Sequence, residues 1–298
     1  MSLSLKPVEA QVMVITGASS GIGLATADTA AQQGAKLVLA ARSQGALDEI
    51  VQHINEAGGE AIAVVADVAD RQQVEGIAEA AISRFGRIDT WVNDAGGSIY
   101  GKLEEVSEAD SRRLFDTNFW GVVNGSLAAL PHLKKQGGAL INLGSEVSEA
   151  VIPLQGMYAA SKHAVKGFTD ALRVELELED APISVTLIQP TAVNTPFPQH
   201  AKNYMDKEPA LPTPQKDPYD VASAIVHAAS HPERDIKVGM MSKMNTAMAK
   251  FAPGLGDKMA QMQANRQHYD EAPRNPGGAL YTAGGTAQTH GSGPADKA

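Results

Sequence analysis

The chain of 298 residues contains no cysteine, which excludes disulfide bonds, thiolate metal sites and a cysteine nucleophile. Basic residues are also in short supply, because 25 Lys and Arg stand against 34 Asp and Glu and leave a net charge of −9. A protein that coats a phosphate backbone needs the opposite balance of charge. We therefore expect no nucleic-acid partner.

Long apolar runs are missing as well. Uninterrupted apolar stretches such as residues 37–41 have the length of buried strands and fall far short of the roughly 18 residues of a membrane span. Residues 1–11 hold no apolar stretch of signal-peptide length. The expectation is a soluble, cytoplasmic protein without a membrane span. An apolar fraction of 43% is ordinary for a globular protein and excludes wholesale disorder.

Strand and helix patterns alternate over the first 190 residues. The short apolar or β-branched runs fall at residues 12–16, 36–41, 61–66, 88–93, 139–143 and 183–189. Helical periodicity separates them, at residues 22–33, 71–85, 114–130 and 158–178. This alternation predicts an α/β fold, a doubly wound, mostly parallel sheet of Rossmann-like type with helices on both faces.

The texture changes after Pro190. Residues 194–218 carry six prolines, a density incompatible with a long regular element, and we interpret them as a substrate lid. A helix at about 219–230 and a short strand at 236–238 are predicted to follow. Residues 1–240 then form a single catalytic domain.

Two further segments complete the predicted organisation. Residues 241–270 form a Met-rich helical extension in which Met241, Met244 and Met248 share one helical stripe, expected to pack against the enzyme body. Residues 271–298 contain six Gly and three Pro with almost no large apolar residues, which predicts a disordered tail.

A glycine-rich turn follows the first predicted strand, with the spacing G-x3-G-x-G. Glycine permits a tight turn, lets the backbone approach a pyrophosphate and lets the following helix pack close to the strand. Exposed N–H groups at the start of that helix can meet phosphates. An ordinary Gly-rich turn is the alternative, and the position within a βαβ unit favours a cofactor site. The residues predicted to bind cofactor here are Gly17, Ser19, Ser20, Gly21, Ile22 and Gly23.

The end of the second strand indicates which cofactor is preferred. An acidic residue there would bind a ribose 2′-hydroxyl, whereas an arginine accommodates a 2′-phosphate. This sequence has Arg42 and Ser43 and no carboxylate at that point, which favours NADP(H) over NAD(H). The alternative is a solvated loop arginine.

Tyr158 and Lys162 lie one helical turn apart on one face of a predicted helix. A nearby cation favours the phenolate of a tyrosine, so this spacing suits a tuned acid/base group. A solvated helix face is the alternative.

Together these residues resemble the short-chain dehydrogenase/reductase family, in its compact single-domain branch, over about residues 8–240. The motifs that carry the resemblance are Thr16–Gly23, Asn93–Gly96, Asn118, Ser145, Tyr158 with Lys162, and Pro190–Thr195. The resemblance implies a seven-stranded sheet and a nicotinamide cofactor. It also implies a homodimer or homotetramer that pairs through the helices containing Asn118 and Tyr158.

The resemblance assigns roles to four catalytic residues. Tyr158 would give a proton to the substrate carbonyl or take one from an alcohol. Lys162 would lower the pKa of Tyr158 and hold the nicotinamide ribose, and Ser145 would hydrogen-bond the substrate oxygen. Asn118 would hold a water that links Lys162 to solvent.

Further cofactor contacts follow from the same resemblance. Asp67 and Val68 would contact the adenine, and Asn93, Ala95 and Gly96 would line the ribose-diphosphate path. Val193 and Thr195 would hold the nicotinamide carboxamide, and Pro190 is a further cofactor contact. Two departures from the family pattern are Asp94 in place of Asn and Thr191 in place of Gly. Thr191 removes backbone freedom near the nicotinamide.

The sequence thus predicts an NADP(H)-dependent oxidoreductase that interconverts a carbonyl and a secondary alcohol on a small to medium apolar substrate. A non-catalytic dinucleotide sensor is the alternative, and the presence of all four catalytic residues disfavours it. A sugar-nucleotide epimerase or dehydratase is disfavoured by the Gly spacing. His227 and His231 have the i, i+4 spacing of metal ligands but no evident third ligand, so no metal site is expected.

Overall fold

The computed structural model describes residues 3–285 and 287–294. Its centre is a parallel sheet of seven strands in the order β3-β2-β1-β4-β6-β7-β9. These strands are β1 (Val12–Thr16), β2 (Lys36–Ala41), β3 (Glu60–Val65), β4 (Thr90–Asn93), β6 (Gly138–Leu143), β7 (Ile183–Pro190) and β9 (Asp235–Val238). The predicted Rossmann-like, doubly wound fold is confirmed, because near-continuous apolar strands alternate with helices that cover both faces.

Helices of both faces bury apolar stripes on the sheet. Leu24, Leu47 and Ile225 belong to the core on one face, whereas Ile77 and Leu133 belong to the core on the other. The first face is covered by α1 (Gly21–Gln32), α2 (Gln44–Glu56) and α8 (Pro218–Ser230). The second is covered by α3 (Arg71–Phe85), α5 (Gly121–Gln136) and α6 (Gly156–Leu178). Within the described ranges, no helix is both long and apolar enough to cross a membrane.

The chain reverses its winding direction between β1 and β4. Strand β1 pairs with β2 on one side and with β4 on the other, so the connections after β1 and β4 leave towards opposite faces. A crevice opens at such a switch point, at the carboxyl ends of the strands, and doubly wound sheets bind their ligands there.

The connection between β4 and β6 contains an irregular helix. Helix α4 (Glu108–Phe115) passes through a π-helical turn at Asp116–Trp120 directly into α5. Short π segments inside α-helices are frequent at functional sites. This one places the fully buried Asn118 beneath the crevice.

The proline-rich segment contains short elements. Helix α7 (Phe197–His200) precedes strand β8 (Lys202–Asn203), which pairs in parallel with β5 (Ile99–Tyr100) in a small second sheet. The remaining residues of the segment are irregular, as the six prolines predict.

The Met-rich extension is a pair of helices, α9 (Met240–Phe251) and α10 (Pro253–Gln263). The stripe that α9 buries differs from the expected one, because Ser242 and Thr246 face the sheet while Met244 is 39% exposed. The hydroxyl of Ser242 donates to the carbonyl of Gln189, and the hydroxyl of Thr246 accepts from Lys237. Polar pairing with the sheet edge therefore fixes this helix.

The C-terminal segment differs from the disordered tail that its composition predicts. In its described part, Leu280 is 6% exposed and packs with Ile99 and Leu114. The close approach depends on glycine, because a Cβ on Gly278, whose φ is +56°, would lie 2.3 Å from the carbonyl oxygen of Ala201. Residues 286 and 295–298 of this predicted tail, and residues 1–2 of the predicted domain, lie outside the described residues.

Candidate active site

The glycine-rich turn between β1 and α1 forms one wall of the crevice. Gly17 and Gly21 have φ values of +72° and +54°, which glycine adopts at no steric cost. A Cβ on Gly17 would lie 2.7 Å from Ala95, and one on Gly23 would lie 2.3 Å from the carbonyl oxygen of Gly17. The turn is therefore packed tightly against the loop after β4, and its geometry requires glycine.

A cavity of about 250 Å³ runs along the carboxyl ends of the strands. Most residues that the sequence singles out line it: Gly17, Ser19, Ser20, Gly21, Ile22, Arg42, Ser43, Asp67, Val68, Ala95, Gly96, Ser145, Tyr158, Lys162, Pro190, Val193 and Thr195. The remaining three, Gly23, Asn93 and Asn118, are not among the residues that line the cavity.

Asn93 was expected on the ribose-diphosphate path, and the structure places its side chain in the core instead. Its Oδ1 accepts from the indole of Trp91 at 2.8 Å, and its Nδ2 donates to Asn142 at 2.8 Å and to Ser126 at 3.2 Å. Side chains alternate between the two faces of a strand, so the last residue of β4 points into the helical layer. Asn93 therefore supports the cavity without lining it.

Asn118 fastens the loop after β4 to helix α6. Its side chain accepts from the N–H of Gly97 at 2.9 Å and donates to the carbonyl of Gly97 at 3.0 Å. The same amide donates to the hydroxyl of Ser161 at 3.0 Å. This triple attachment fixes the loop relative to the helix that carries Tyr158 and Lys162.

Ser145 lies at the end of β6 and begins a short 3₁₀ turn. Its hydroxyl accepts from the N–H of Val147 at 3.3 Å, and its own N–H donates to Ser148. This reciprocal pattern is a capping box, which fixes the direction of the Ser145 side chain. The hydroxyl also hydrogen-bonds the phenol of Tyr158.

The electrostatics of Tyr158 differ from the expected direction. Burial raises the pKa of Tyr158 to about 12, the Ser145 hydrogen bond opposes this, and the charges of Glu146 and Asp94 add to it. Lys162 donates to the carbonyl of Leu143 at 2.7 Å, and its Nζ lies 5.8 Å from the centroid of the tyrosine ring. The pKa of Tyr158 therefore lies above that of an ordinary tyrosine, whereas the family resemblance implies a lowering by Lys162.

Asp94 adds a partly buried carboxyl group to the same cavity. Burial raises the pKa of Asp94 to about 7, against the opposing effects of the Lys162 charge and of a hydrogen bond from the N–H of Gly23. Burial also lowers the pKa of Lys162 to about 8, and the charge of Asp94 opposes that shift. The sequence shows Asp94 only as a departure from the family pattern and does not predict the effect of its charge on Lys162.

Arg42 is not a solvated loop residue. Its guanidinium group is partly buried and donates to the carbonyl oxygens of Ala279 and Leu280 in the C-terminal segment. Burial lowers the pKa of Arg42, while the charge of Asp67 raises it. The segment also reaches the glycine-rich turn, where the N–H of Gly21 donates to the carbonyl of Gln288 at 2.8 Å. Sequence reasoning missed this wall of the cavity because the composition of the segment suggested disorder.

A second cavity of about 250 Å³ adjoins the first one at Glu146 and Ile152 and is bordered on its other side by helices α9 and α10. Val151, Ile152, Met241 and Met248 are among the apolar side chains that line it. Glu146, next to Ser145, lines both cavities, and its carboxylate accepts from Asn245 at 3.1 Å. Burial raises the pKa of Glu146, and the hydrogen bonds oppose this.

The donor set fits a dinucleotide. Gly17 and Gly21 line the crevice at the N-terminal end of α1, and N–H groups at the start of a helix can bind phosphates. The guanidinium group of Arg42 lines the cavity after β2. Ser145, Tyr158 and Lys162 line it as well, as do Pro190 and Val193. Such an arrangement can bind an extended, negatively charged dinucleotide and transfer a proton at one end of it.

Comparison with known proteins agrees with this geometry. The family model described as short chain dehydrogenase matches residues 11–205. The uncharacterized oxidoreductase YxnA of Bacillus subtilis (strain 168) is 46% identical over 287 residues, which cover 95% of this chain and 81% of the relative.

Two solved structures share the fold. A short chain dehydrogenase/reductase from Burkholderia phymatum in complex with NAD has a TM-score of 0.74 and 28% identity, covering 90% of this chain and 99% of that chain. An alcohol dehydrogenase from Thermococcus sibiricus complexed with 5-hydroxy-NADP has a TM-score of 0.67 and 30% identity, covering 76% and 94%. The chain therefore belongs to the short-chain dehydrogenase family of oxidoreductases.

Proposed function

We propose that this protein is an NADP(H)-dependent oxidoreductase that interconverts a carbonyl and a secondary alcohol. The observation that carries the proposal is one continuous cavity with the Ser145, Tyr158 and Lys162 cluster and a cationic side chain, Arg42, on its walls. Membership of an oxidoreductase family supports the reaction class.

The dinucleotide would be held by the walls already described. The turn from Gly17 to Ile22 would receive the phosphates, and Arg42 with Ser43 would receive the ribose 2′-phosphate. Asp67 and Val68 would border the adenine, and Ala95 and Gly96 the ribose-diphosphate path. Pro190, Val193 and Thr195 would border the nicotinamide. When bound, this cofactor supplies or accepts the hydride.

The chain's own residues handle the proton and the orientation of the substrate. Burial keeps the phenol of Tyr158 protonated, which suits it to donate a proton to a carbonyl oxygen that gains charge. Ser145, whose side chain is fixed by its capping box, would hydrogen-bond the same oxygen and stabilise the developing charge. Asn118 hydrogen-bonds both Gly97, in the loop after β4, and Ser161, on helix α6. It therefore fixes the loop relative to the helix and is a positioning residue in this proposal.

The preference for NADP(H) rests on the residues at the end of β2. Arg42 can form a two-pronged contact with a phosphate, and no carboxylate occupies position 42 or 43 to accept a 2′-hydroxyl. The two related structures contain NAD in one case and 5-hydroxy-NADP in the other, so the family accommodates both. We expect NADPH to bind more tightly than NADH. The substitution Arg42→Ala should reduce the difference in affinity between the two cofactors.

The substrate is proposed to be a small to medium apolar carbonyl compound or the matching alcohol. Ile152, Phe197 and Leu211 line the same cavity as Tyr158, and the second cavity adds Met241 and Met248. Residues 194–218 would close over this substrate as the lid. Apolar walls of this kind bind ligands mainly by removing apolar surface from water.

The catalytic proposal is tested by Tyr158→Phe. The variant retains the ring and loses the proton, so turnover of a panel of aldehydes, ketones and quinones with NADPH should fall to near background while NADPH binding persists. Unchanged turnover would overturn the proposed mechanism. Binding of NADPH without turnover by the parent protein across the panel would favour the dinucleotide sensor.

Assembly is proposed to be a homodimer or homotetramer through α5 and α6. Exposed apolar side chains lie on this surface, with Trp120 beside α5 at 52% exposure and Val174 and Leu178 on α6 at 50% and 81%. Sedimentation analysis should give a mass of two or four chains. A cytoplasmic location stays a prediction, which cell fractionation tests.

A further inference from the structure

Two guanidinium groups converge on one oxygen atom at the Arg42 end of the first cavity. Nη1 of Arg42 lies 3.3 Å and Nε of Arg113 lies 3.2 Å from the carbonyl oxygen of Leu280. Nη2 of Arg42 also donates to the neighbouring carbonyl of Ala279 at 2.5 Å. Three guanidinium N–H donors therefore point at two adjacent oxygens.

The charges around this point are unequal. Arg113 pairs with Asp67, whose Oδ2 is 2.5 Å from Nη2, so one carboxylate offsets one guanidinium group. The side chain of Arg113 is only 16% exposed, and Arg42 is partly buried. The hydrogen-bond acceptors of Arg42 are neutral carbonyls. The cluster Arg42, Arg113 and Asp67 thus carries a surplus positive charge in a partly desolvated place, where charged hydrogen bonds are strong.

We propose that Arg113, on helix α4, is the second cation of the site for a ribose 2′-phosphate and determines cofactor specificity together with Arg42. The inference rests on the proposed NADP(H) function and extends it to a residue that lies 71 positions further along the chain. A phosphomonoester presents three oxygens, and two arginines in fork geometry can bond them at once.

The C-terminal segment competes with a bound phosphate for the same N–H donors. The carbonyls of Ala279 and Leu280 accept from the N–H groups that phosphate oxygens would take. A phosphate is the stronger acceptor because it carries charge. Binding therefore exchanges the two carbonyls for phosphate oxygens, and the segment from Pro276 to Tyr281 moves away from the arginines.

The binding experiment uses two nucleotides that differ only in the phosphate. Calorimetric titration of the full-length protein with each nucleotide gives two dissociation constants for each variant. The ratio of interest is the dissociation constant of adenosine 5′-monophosphate divided by that of adenosine 2′,5′-bisphosphate, which measures the preference for the 2′-phosphate. Arg113→Gln should reduce this ratio by about tenfold or more, as loss of a charged hydrogen bond predicts, and Arg42→Gln should do the same. Arg112→Gln is the matched control, because Arg112 is 76% exposed and pairs with Glu108 at the surface.

A double variant separates a direct contact from an indirect one. If Arg113 only neutralised Asp67, the variant Asp67→Asn with Arg113→Gln would regain the parental ratio, and the proposal would be overturned. A ratio that stays reduced supports a direct contact. An unchanged ratio in Arg113→Gln alone would also overturn it while leaving the role of Arg42 intact. A parent protein with no preference for the bisphosphate contradicts the NADP(H) proposal itself.

Hydrogen exchange tests whether a bound phosphate displaces the C-terminal segment from the two arginines. Amide exchange in a peptide spanning residues 276–283 should accelerate with the bisphosphate and stay unchanged with the monophosphate, because the N–H of Ala279 donates to the carbonyl of His200 in the docked segment. Equal exchange with both nucleotides would overturn the replacement of the carbonyls by phosphate.

Discussion

Asp94 and Lys162 line the same cavity, close enough together that the charge of each acts on the pKa of the other. Burial pushes the two pKa values towards each other, to about 7 for Asp94 and about 8 for Lys162. Both groups border the cavity beside Tyr158. The pKa values of both groups therefore lie near neutral pH.

The first prediction concerns the pH dependence of this pair. If protonated Lys162 supports catalysis, carbonyl reduction should be steady below about pH 8 and decline above it as Lys162 loses its proton. Asp94→Asn removes the charge that raises the pKa of Lys162, so the alkaline limb of kcat/KM should move to lower pH by about one unit. Asp48→Asn, on the exposed side of α2, is the control and should leave the limb in place. A shift to higher pH would contradict the assignment.

The second prediction concerns the aromatic contact on Tyr158. The ring of Phe197, on α7, meets the Tyr158 ring edge-on with centroids 5.3 Å apart. Such pairs contribute about 0.5–1.5 kcal/mol, so Phe197→Ala should lower kcat/KM by about two- to tenfold through a less fixed phenol. Affinity for NADPH alone should not change. Phe197→Leu keeps apolar bulk and removes the ring, so full activity in Phe197→Leu would indicate that the contact has no aromatic component.

The third prediction concerns stability and the buried network of Asn93. A Cβ on Gly125 in α5 would lie 2.0 Å from Oδ1 of Asn93 and 2.7 Å from Nε1 of Trp91. Gly125→Ala should therefore lower the free energy of unfolding by about 1–3 kcal/mol. Gly76→Ala in α3 is the matched control, since nothing lies within 4 Å of its Cβ, and it should add about 0.5–1 kcal/mol. Denaturant unfolding measures both, and equal effects would refute the steric argument.

The fourth prediction concerns the docking of the C-terminal segment. Leu280 packs with Ile99 and Leu114, and the hydroxyl of Tyr281 donates to Asp110 at 2.7 Å. Leu280→Ala removes the apolar anchor, so amide exchange in residues 274–285 should accelerate by about tenfold or more without a change in the sheet. Leu255→Ala, at a 54% exposed position on α10, serves as control. Fast exchange in the parent protein would restore the prediction of a disordered tail.

The alternation of patterns in the sequence predicted the sheet and most of its strands within one or two residues of their observed bounds. The Gly17–Gly23 turn and the Tyr158–Lys162 spacing were also predictable, because each depends on neighbours within one turn or one element. The inward direction of Asn93 was missed, although strand alternation at the end of β4 carries that signal.

The sequence by itself determined the parallel fold, the turn that needs glycine and the residues proposed to transfer the proton. These follow from local periodicity and from spacing along one helix or strand. Only the tertiary structure decided that burial raises the pKa of Tyr158, that the charge of Asp94 acts on Lys162, and that Arg42 donates to carbonyls 237 and 238 residues away in the chain. The physical reason is that desolvation and charge coupling depend on distances between elements, which packing sets and which local sequence patterns do not encode.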